Sequence, residues 1–411
     1  MKKASFYIFY IFLLVIYLYS IVFDFFPLST KIVLEIVGLF SCAKYYANGN
    51  YRLKKEYRTI ITLILFIVVW DIITSSLNGK SDFHLIKDIV PILGSIFGAQ
   101  YLYSLSKPYF NSPNKFLIVL TVTIFGESVL ALLMKASPAL YELVDSFLVF
   151  DFGSDTIDDI FDLTRAFGIG NAHYFGVLAT CILGTMTAAY LLTLSKGMVE
   201  RVLLIVMWIV ISFTSFLTAR WAVFIIGLSG LLFVLSLRHN KLSTQIVTAF
   251  SFLFIGSIVL IFATQNVDTE VQQWAFGYFV DKDSSDHSAD IVIGWWENTR
   301  FDIKTFIIGD AQYVDPRGGY YMHVDIGYFR EIFYGGLIGL SIIIYSHVKI
   351  LRYIYHYFRN RMFKLYLYFL MLGFLAAMAK GNLNMMTFFI LILTYYSEGI
   401  FEKVKQPAYV G

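Results

Sequence analysis

Residues Gln265 to Asp325 read QNVDTEVQQWAFGYFVDKDSSDHSADIVIGWWENTRFDIKTFIIGDAQYVDPRGGYYMHVD, one long polar interval in a chain that is otherwise a succession of apolar runs. The interval holds Asp268, Glu270, Asp281, Asp283, Asp286, Asp290, Glu297, Asp302, Asp310, Asp315 and Asp325, together with Arg300, Arg317, His287, His323, Trp274, Trp295 and Trp296. Outside it the composition is that of a membrane protein: 58% hydrophobic and 15% charged overall, where soluble domains average about 25% charged. Apolar runs of about 20 residues recur, each long enough to cross a bilayer as a helix. A chain built this way is expected to work at the face where its polar residues gather.

The runs predict an all-α polytopic membrane protein with about twelve transmembrane helices. They lie at 4–23, 28–47, 59–77, 85–105, 116–134, 172–194, 202–217, 221–237, 245–264, 326–346, 365–379 and 383–401. Residues 1–411 then form one integral membrane domain, with a large outer loop at 265–325 between the ninth and tenth spans and an acidic outer loop at 135–165. Lys2 and Lys3 precede an apolar run longer than a signal-peptide core, with no small-x-small cleavage site after it, so it is expected to remain as the first span. Within the large loop, 271–279 and 291–308 are expected as short helices whose Trp residues lie at headgroup level. Pro91 is expected to kink the fourth span. Gly94 with Gly98, and Gly335 with Gly339, have the small-xxx-small spacing of close helix contacts.

Lys and Arg set the orientation. With both termini on the cytoplasmic side, every inside segment carries at least two of them, for example Arg52, Lys54, Lys55 and Arg58, or Lys349, Arg352, Arg359, Arg361 and Lys364. The last of these segments is basic and aromatic and suits anionic headgroups. Arg165, Arg220, Arg300 and Arg317 fall outside, against this bias, and so need another reason to be there. One reason is snorkelling at the rim. Another is a clamp on phosphate, because a guanidinium presents a planar fork matched to phosphate oxygens. His323 stands just before the tenth span, with Asp325 two residues on. A neutral imidazole can remove a proton near pH 7, and a carboxylate can orient it or act itself; His173, beside Arg165, is the second candidate. Within the spans lie Glu35, Lys44, Asp71, Lys87, Asp88 and Glu127, of which Asp71 and Glu127 fall toward outer ends.

Other chemistries are disfavoured. Basic residues are scattered in short loops, so no nucleic-acid partner is expected. Cys42 and Cys181 fall in spans and form no metal cage. The run Asp281-Lys-Asp283-Ser-Ser-Asp286 lacks the turn glycine and the closing Glu of a calcium loop, its twelfth position being Val292; a solvated acidic turn fits it better than a DxD metal pair. No metal or cofactor is expected.

Three pieces of sequence resemble the O-antigen polymerase and ligase superfamily, the Wzy-type polysaccharide polymerases included. They are Arg165-x-x-Gly168-x-x-Asn171 opening a span after an acidic outer loop, Thr218-x-Arg220 in a tight outer turn, and Ile308-Gly-Asp310 leading to His323 and Gly335-Gly-Leu-Ile-Gly339. The chain departs from the pattern with Ala219 before the turn Arg and Val324 after the His. The resemblance implies a metal-independent membrane glycosyltransferase of the bacterial cytoplasmic (inner) membrane. It would join glycan repeat units carried on undecaprenyl pyrophosphate at the outer face, with the bilayer around it and a chain-length regulator protein as a further partner. Arg165, Arg220, Arg300 and Arg317 would hold pyrophosphate, and His323 with Asp325 would activate the acceptor hydroxyl. A ligase would instead pass polymer to lipid A–core. A lipid-linked glycan flippase, with charges along a path through the membrane, is the rival from another class.

The orientation is testable by reporter fusion: Ser154 and Ser285 should report outside, and Asn50, Asn240 and Asn360 inside. A cytoplasmic Ser285 would remove the basis for an outer site.

Overall fold

A computed structural model describes residues 3–26, 28–47, 51–80, 82–149, 168–169, 173–219, 222–236, 294, 300–315, 321–324, 326–358, 360–379 and 384–403. The elements in order are α1 (Lys3–Leu18), α2 (Thr30–Ala47), β1 (Tyr51–Leu53), α3 (Lys55–Asn78), α4 (His84–Ser106), α5 (Pro113–Ala136), α6 (Pro138–Asp145), α7 (His173–Leu194), α8 (Met198–Thr218), α9 (Ala222–Ser236), α10 (Ile303–Ile307), a 3-10 turn (Tyr321–His323), α11 (Gly327–Tyr357), α12 (Arg361–Met378), α13 (Met386–Tyr396) and β2 (Phe401–Lys403). Seven of these, α3, α4, α5, α7, α8, α11 and α12, are long and apolar enough to cross a membrane, and α1, α9 and α13 are shorter apolar helices. The expected ninth span, the helix at 271–279 and the turn at 380–382 lie outside the described residues.

The helix ends follow local chemistry. α3 stops at Gly79, whose φ of 60° lets its N–H reach back to the carbonyls of Ser75 and Ser76. Pro113 and Pro138 open α5 and α6, where a missing N–H costs nothing. α6 was not expected. Its eight residues follow α5 directly, with Ser137 capping the Leu140 N–H.

α7 is the central helix, packed against α5, α8, α9 and α12. Its Cys181, Ile182, Leu183, Met186, Ala188, Ala189 and Tyr190 are all fully buried. α3 is peripheral instead and turns Leu65, Phe66, Val69, Ile72 and Ile73 outward, an apolar face suited to lipid. The close contact of α2 with α4 rests on glycine: a Cβ on Gly38 would lie 2.3 Å from the Phe97 carbonyl oxygen, and one on Gly98 would lie 2.7 Å from the Tyr17 ring. The expected small-residue face at Gly94 and Gly98 is therefore used, and it leaves room for Glu35. That carboxylate accepts from Ser95 Oγ at 2.9 Å and lies 3.7 Å from Lys31 Nζ, which donates to Thr387 Oγ1 at 3.2 Å. These groups satisfy one another across α2, α4 and α13. They form a packed polar knot rather than a row of charges along a path.

Segments assigned to one side by Lys and Arg meet one another. Among segments expected inside, β1 pairs antiparallel with β2, Arg52 opposite Glu402, and Tyr357 bonds Glu56 at 2.9 Å. Among segments expected outside, the Val149 N–H donates to the Val22 carbonyl at 2.9 Å, and Asn78 donates to the Gly309 carbonyl at 3.0 Å. The two-stranded ribbon had no local signal, because its partners are the α2–α3 connection and the C-terminal segment.

Two spans differ most in length from expectation. α11 runs on to Tyr357 because the basic stretch beyond Ser346 is itself helical, with Lys349 over the Tyr345 and Tyr353 rings at 6.0 and 5.5 Å. α13 is short: its 11 residues cover about 16 Å, roughly half the apolar thickness of a bilayer. A helix that begins within an apolar interior needs an acceptor for its first N–H groups. His347, fully buried and stacked on Phe374 at 4.1 Å, accepts the Met385 N–H on Nε2 at 3.2 Å, while Nδ1 is 2.8 Å from the Ile343 carbonyl oxygen. His347→Leu should leave that N–H unpaired, at a cost of about 1–3 kcal/mol. His347→Gln should recover part of it, read as melting of the purified protein in detergent. Equal melting of the Leu variant and the wild type would show that the imidazole is not needed.

Candidate functional site

The segment Phe301–Asp315 docks on a break in α11. Gly336 has φ 68° and ψ −176°, so the helix is interrupted there and the carbonyls before it lack helical partners. The segment supplies them: the Asp310 N–H donates to the Phe333 carbonyl at 2.6 Å and the Ala311 N–H to the Tyr334 carbonyl at 3.0 Å. Trp70 of α3 donates its indole N–H to the Gly335 carbonyl at 2.8 Å. Two backbones can approach this closely only because both lack side chains at the contact. A Cβ on Gly309, itself at φ 88°, would sit 2.2 Å from the Tyr334 carbonyl oxygen, and one on Gly336 would sit 2.1 Å from that of Ile307.

α10 holds the segment in shape. Asp302 caps it, accepting the Thr305 N–H at 2.6 Å, and Thr305 Oγ1 donates to Asp310 at 2.9 Å. Lys304 lies 3.7 Å from Asp310 and also donates to Asn78 Oδ1. The Thr305 N–H holds the Asp302 carboxyl below the usual carboxylate range. Its capping contribution is thus complete above the ordinary Asp value of about 3.9 and is lost as pH falls through the lower folded value.

Below the segment, the ends of α3, α4 and α11 bring ionisable groups together. Asp71, fully buried, accepts from Tyr334 Oη at 2.5 Å and from the Ile86 N–H at 2.8 Å. Tyr334 Oη in turn accepts the His84 N–H at 2.7 Å. The His84 ring stacks on Tyr313 at 3.4 Å, with its Nε2 3.5 Å from Asp88. Arg330, also buried, sets its guanidinium 4.6 Å from the centre of the same Tyr313 ring. Asp82 accepts the Tyr313 N–H at 3.3 Å and pairs with Lys87 at 3.2 Å. Phe83, Ala311 and Met322 around this cluster have φ of 48°, 52° and 57°, three of the five non-glycine residues at positive φ among the described residues. Such backbone persists where its surroundings over-determine it, as at binding sites.

The 3-10 turn that carries His323 is tied to the cluster, since the Tyr321 N–H donates to the Tyr313 carbonyl at 3.0 Å. Burial, then Asp310, Asp315 and Asp302, push the Tyr321 phenol up, so carboxylates surround that turn. Val324, Ile326, Phe329 and Phe333 form a small apolar cluster beneath it.

Of the residues expected at the site, Arg300 is exposed at the start of the docked segment, and His323 ends the 3-10 turn, its side chain outside the described atoms. Asp325, Arg165, Arg220 and Arg317 lie outside the described residues, as does the acidic run from Asp281 to Asp286. His173 opens α7, again without a described side chain. Gly168, from the first motif, packs on Glu127: a Cβ there would lie 2.0 Å from Glu127 Oε1. Asp71 is anchored by Tyr334 and the Ile86 N–H. His84, Tyr313, Arg330 and Tyr334 were not among the residues expected at the site. Arg330 had a signal, a cation inside an apolar run, and so did His84, with Asp88 one helical turn on.

Comparison of this chain with protein-family models, with curated proteins and with solved structures finds no match.

Two substitutions test the geometry. Gly309→Ala should lower stability by at least about 1–2 kcal/mol from its left-handed backbone alone, with the clash against Tyr334 added. Tyr334→Phe removes one of the two bonds to buried Asp71 and should cost about 1–3 kcal/mol. Thermal melting of purified protein reads both, and wild-type melting in either case would contradict the docking described.

Proposed function

We propose that the protein is a polysaccharide polymerase, for O-antigen or capsule, that joins glycan repeat units carried on undecaprenyl pyrophosphate at the outer face of a bacterial cytoplasmic membrane. The observation that supports this reading is the union of Ile308-Gly309-Asp310 with Tyr334-Gly335-Gly336 through direct backbone contact. Ile308-Gly309-Asp310 and Gly335-Gly336 belong to the two halves of the late motif, and His323 stands between those halves in sequence. A reaction between two lipid-linked substrates needs a rigid platform at the membrane surface, and the interlock supplies one.

On this reading the outer arginines bind the pyrophosphate that leaves. Its charge is concentrated, and guanidinium groups at a low-dielectric boundary stabilise it without metal. His323, or Asp325 beside it, takes the proton from the acceptor hydroxyl as that oxygen attacks the anomeric carbon. The bond between sugar and pyrophosphate breaks, and the growing glycan moves to the acceptor unit.

The test is deletion of the gene and complementation with single variants, with polysaccharide resolved on a gel and protein abundance measured in membranes. The deletion strain should make only single-repeat product. Arg165→Ala, Arg220→Ala and His323→Gln should each fail to restore long chains at normal abundance, and Arg→Lys should rescue poorly. Polymer accumulating on the carrier lipid would point to a ligase. Loss of lipid-linked glycan from the outer face would point to a flippase. Normal chain lengths in all three variants would remove the assigned chemistry.

A further inference from the structure

Glu127 lies in α5 and has no part in the reaction just described. It is 3% exposed, and neither carboxyl oxygen completes a hydrogen bond. The Gly168–Ile169 turn lies directly over it: a Cβ on Gly168 would meet Oε1 at 2.0 Å and Val177 Cγ2 at 2.5 Å. The Ile169 backbone faces the carboxyl without forming a full hydrogen bond. Tyr19 and Cys181, both buried, are within electrostatic range. Ser128, the next residue along α5, is 3.9 Å from Cys181 Sγ. Among the described residues no Lys, Arg or His pairs with Glu127.

An ionised carboxylate with no partner is strongly disfavoured in such surroundings, because burial removes its hydration and nothing replaces it. A carboxylic acid loses far less. Its planar group also makes a flat surface on which only a glycine backbone can rest at this distance.

We infer that Glu127 is a positioning residue: as a neutral carboxylic acid it holds the turn at Gly168 against α5, and so fixes where the chain following Arg165 enters the bundle. The link to Arg165 rests on the polymerase reading; the seating of the turn does not.

The experiment uses the full-length purified protein and three readouts. In infrared difference spectra, wild type minus Glu127→Gln, the band lost should be the carbonyl stretch of a protonated acid. Loss of the symmetric and antisymmetric carboxylate bands would overturn the inference. A cysteine at Ile169, in a chain with Cys181 replaced by Ala, should react slowly with a polar maleimide. Its rate should rise several-fold when Glu127 is Ala and stay low when Glu127 is Gln, because the amide keeps both the shape and the neutrality. Equal rates in the Ala and Gln backgrounds would overturn it. Finally, Glu127→Gln should support long-chain polymer in cells and Glu127→Ala should shorten it. If the first two readouts follow expectation and chain length does not respond, the seating of the turn stands and the polymerase reading falls.

Discussion

The arrangement of α3, α4 and α11 depends on a contact between two backbones. Gly309 and Gly336 let the docked segment lie against α11 at a distance that any side chain would forbid. The break at Gly336 leaves carbonyl groups without helical partners, and in an apolar setting each of these would be costly. The segment and Trp70 supply the missing donors, so the break and the docking stabilise each other. Without the segment, α11 has unpaired carbonyls at Phe333 and Tyr334. Without the break, the Asp310 and Ala311 N–H groups lose their acceptors on α11.

That contact also fixes the groups nearby. Docking places Tyr313 between the start of α4 and the start of α11, where its ring meets both His84 and Arg330. Tyr334, on the turn before the break, links α11 to Asp71 of α3 and to the first residue of α4. Three helices and one loop thus share a single set of hydrogen bonds. Such an arrangement is preorganised, because the ordering cost is met on folding.

Much of the helical framework was legible because a bilayer imposes a length on apolar runs, and the runs at 59–77, 85–105 and 116–134 became α3, α4 and α5 with ends shifted by a few residues. The Gly94 and Gly98 pair was legible as well, since close helix approach needs small residues at that spacing, whereas Gly335 and Gly339 flank the break at Gly336 and face the Trp70 indole instead. What could not be read was anything set by distant pairing. The ribbon of Tyr51–Leu53 with Phe401–Lys403, the half-length α13 propped on His347, and the stacking of His84 on Tyr313 all depend on partners far away in the chain. His84 and Arg330 carried local signals, but that both meet the Tyr313 ring depends on the docked segment and could not be read. The motif glycines at 309 and 335–336 were noticed as a pattern, but their shared purpose shows only in three dimensions.

The measurement that tests the interlock most directly is cross-linking in native membranes between cysteines placed at Asn78 and Lys304, whose side chains are hydrogen-bonded across the docked segment. Cys42 and Cys181 are buried and do not compete. A short thiol-specific cross-linker should join the pair rapidly in the otherwise wild-type chain, and several-fold more slowly when Gly309 is replaced by Val. No cross-link in the wild-type background, or the same rate with Val at 309, would contradict the account.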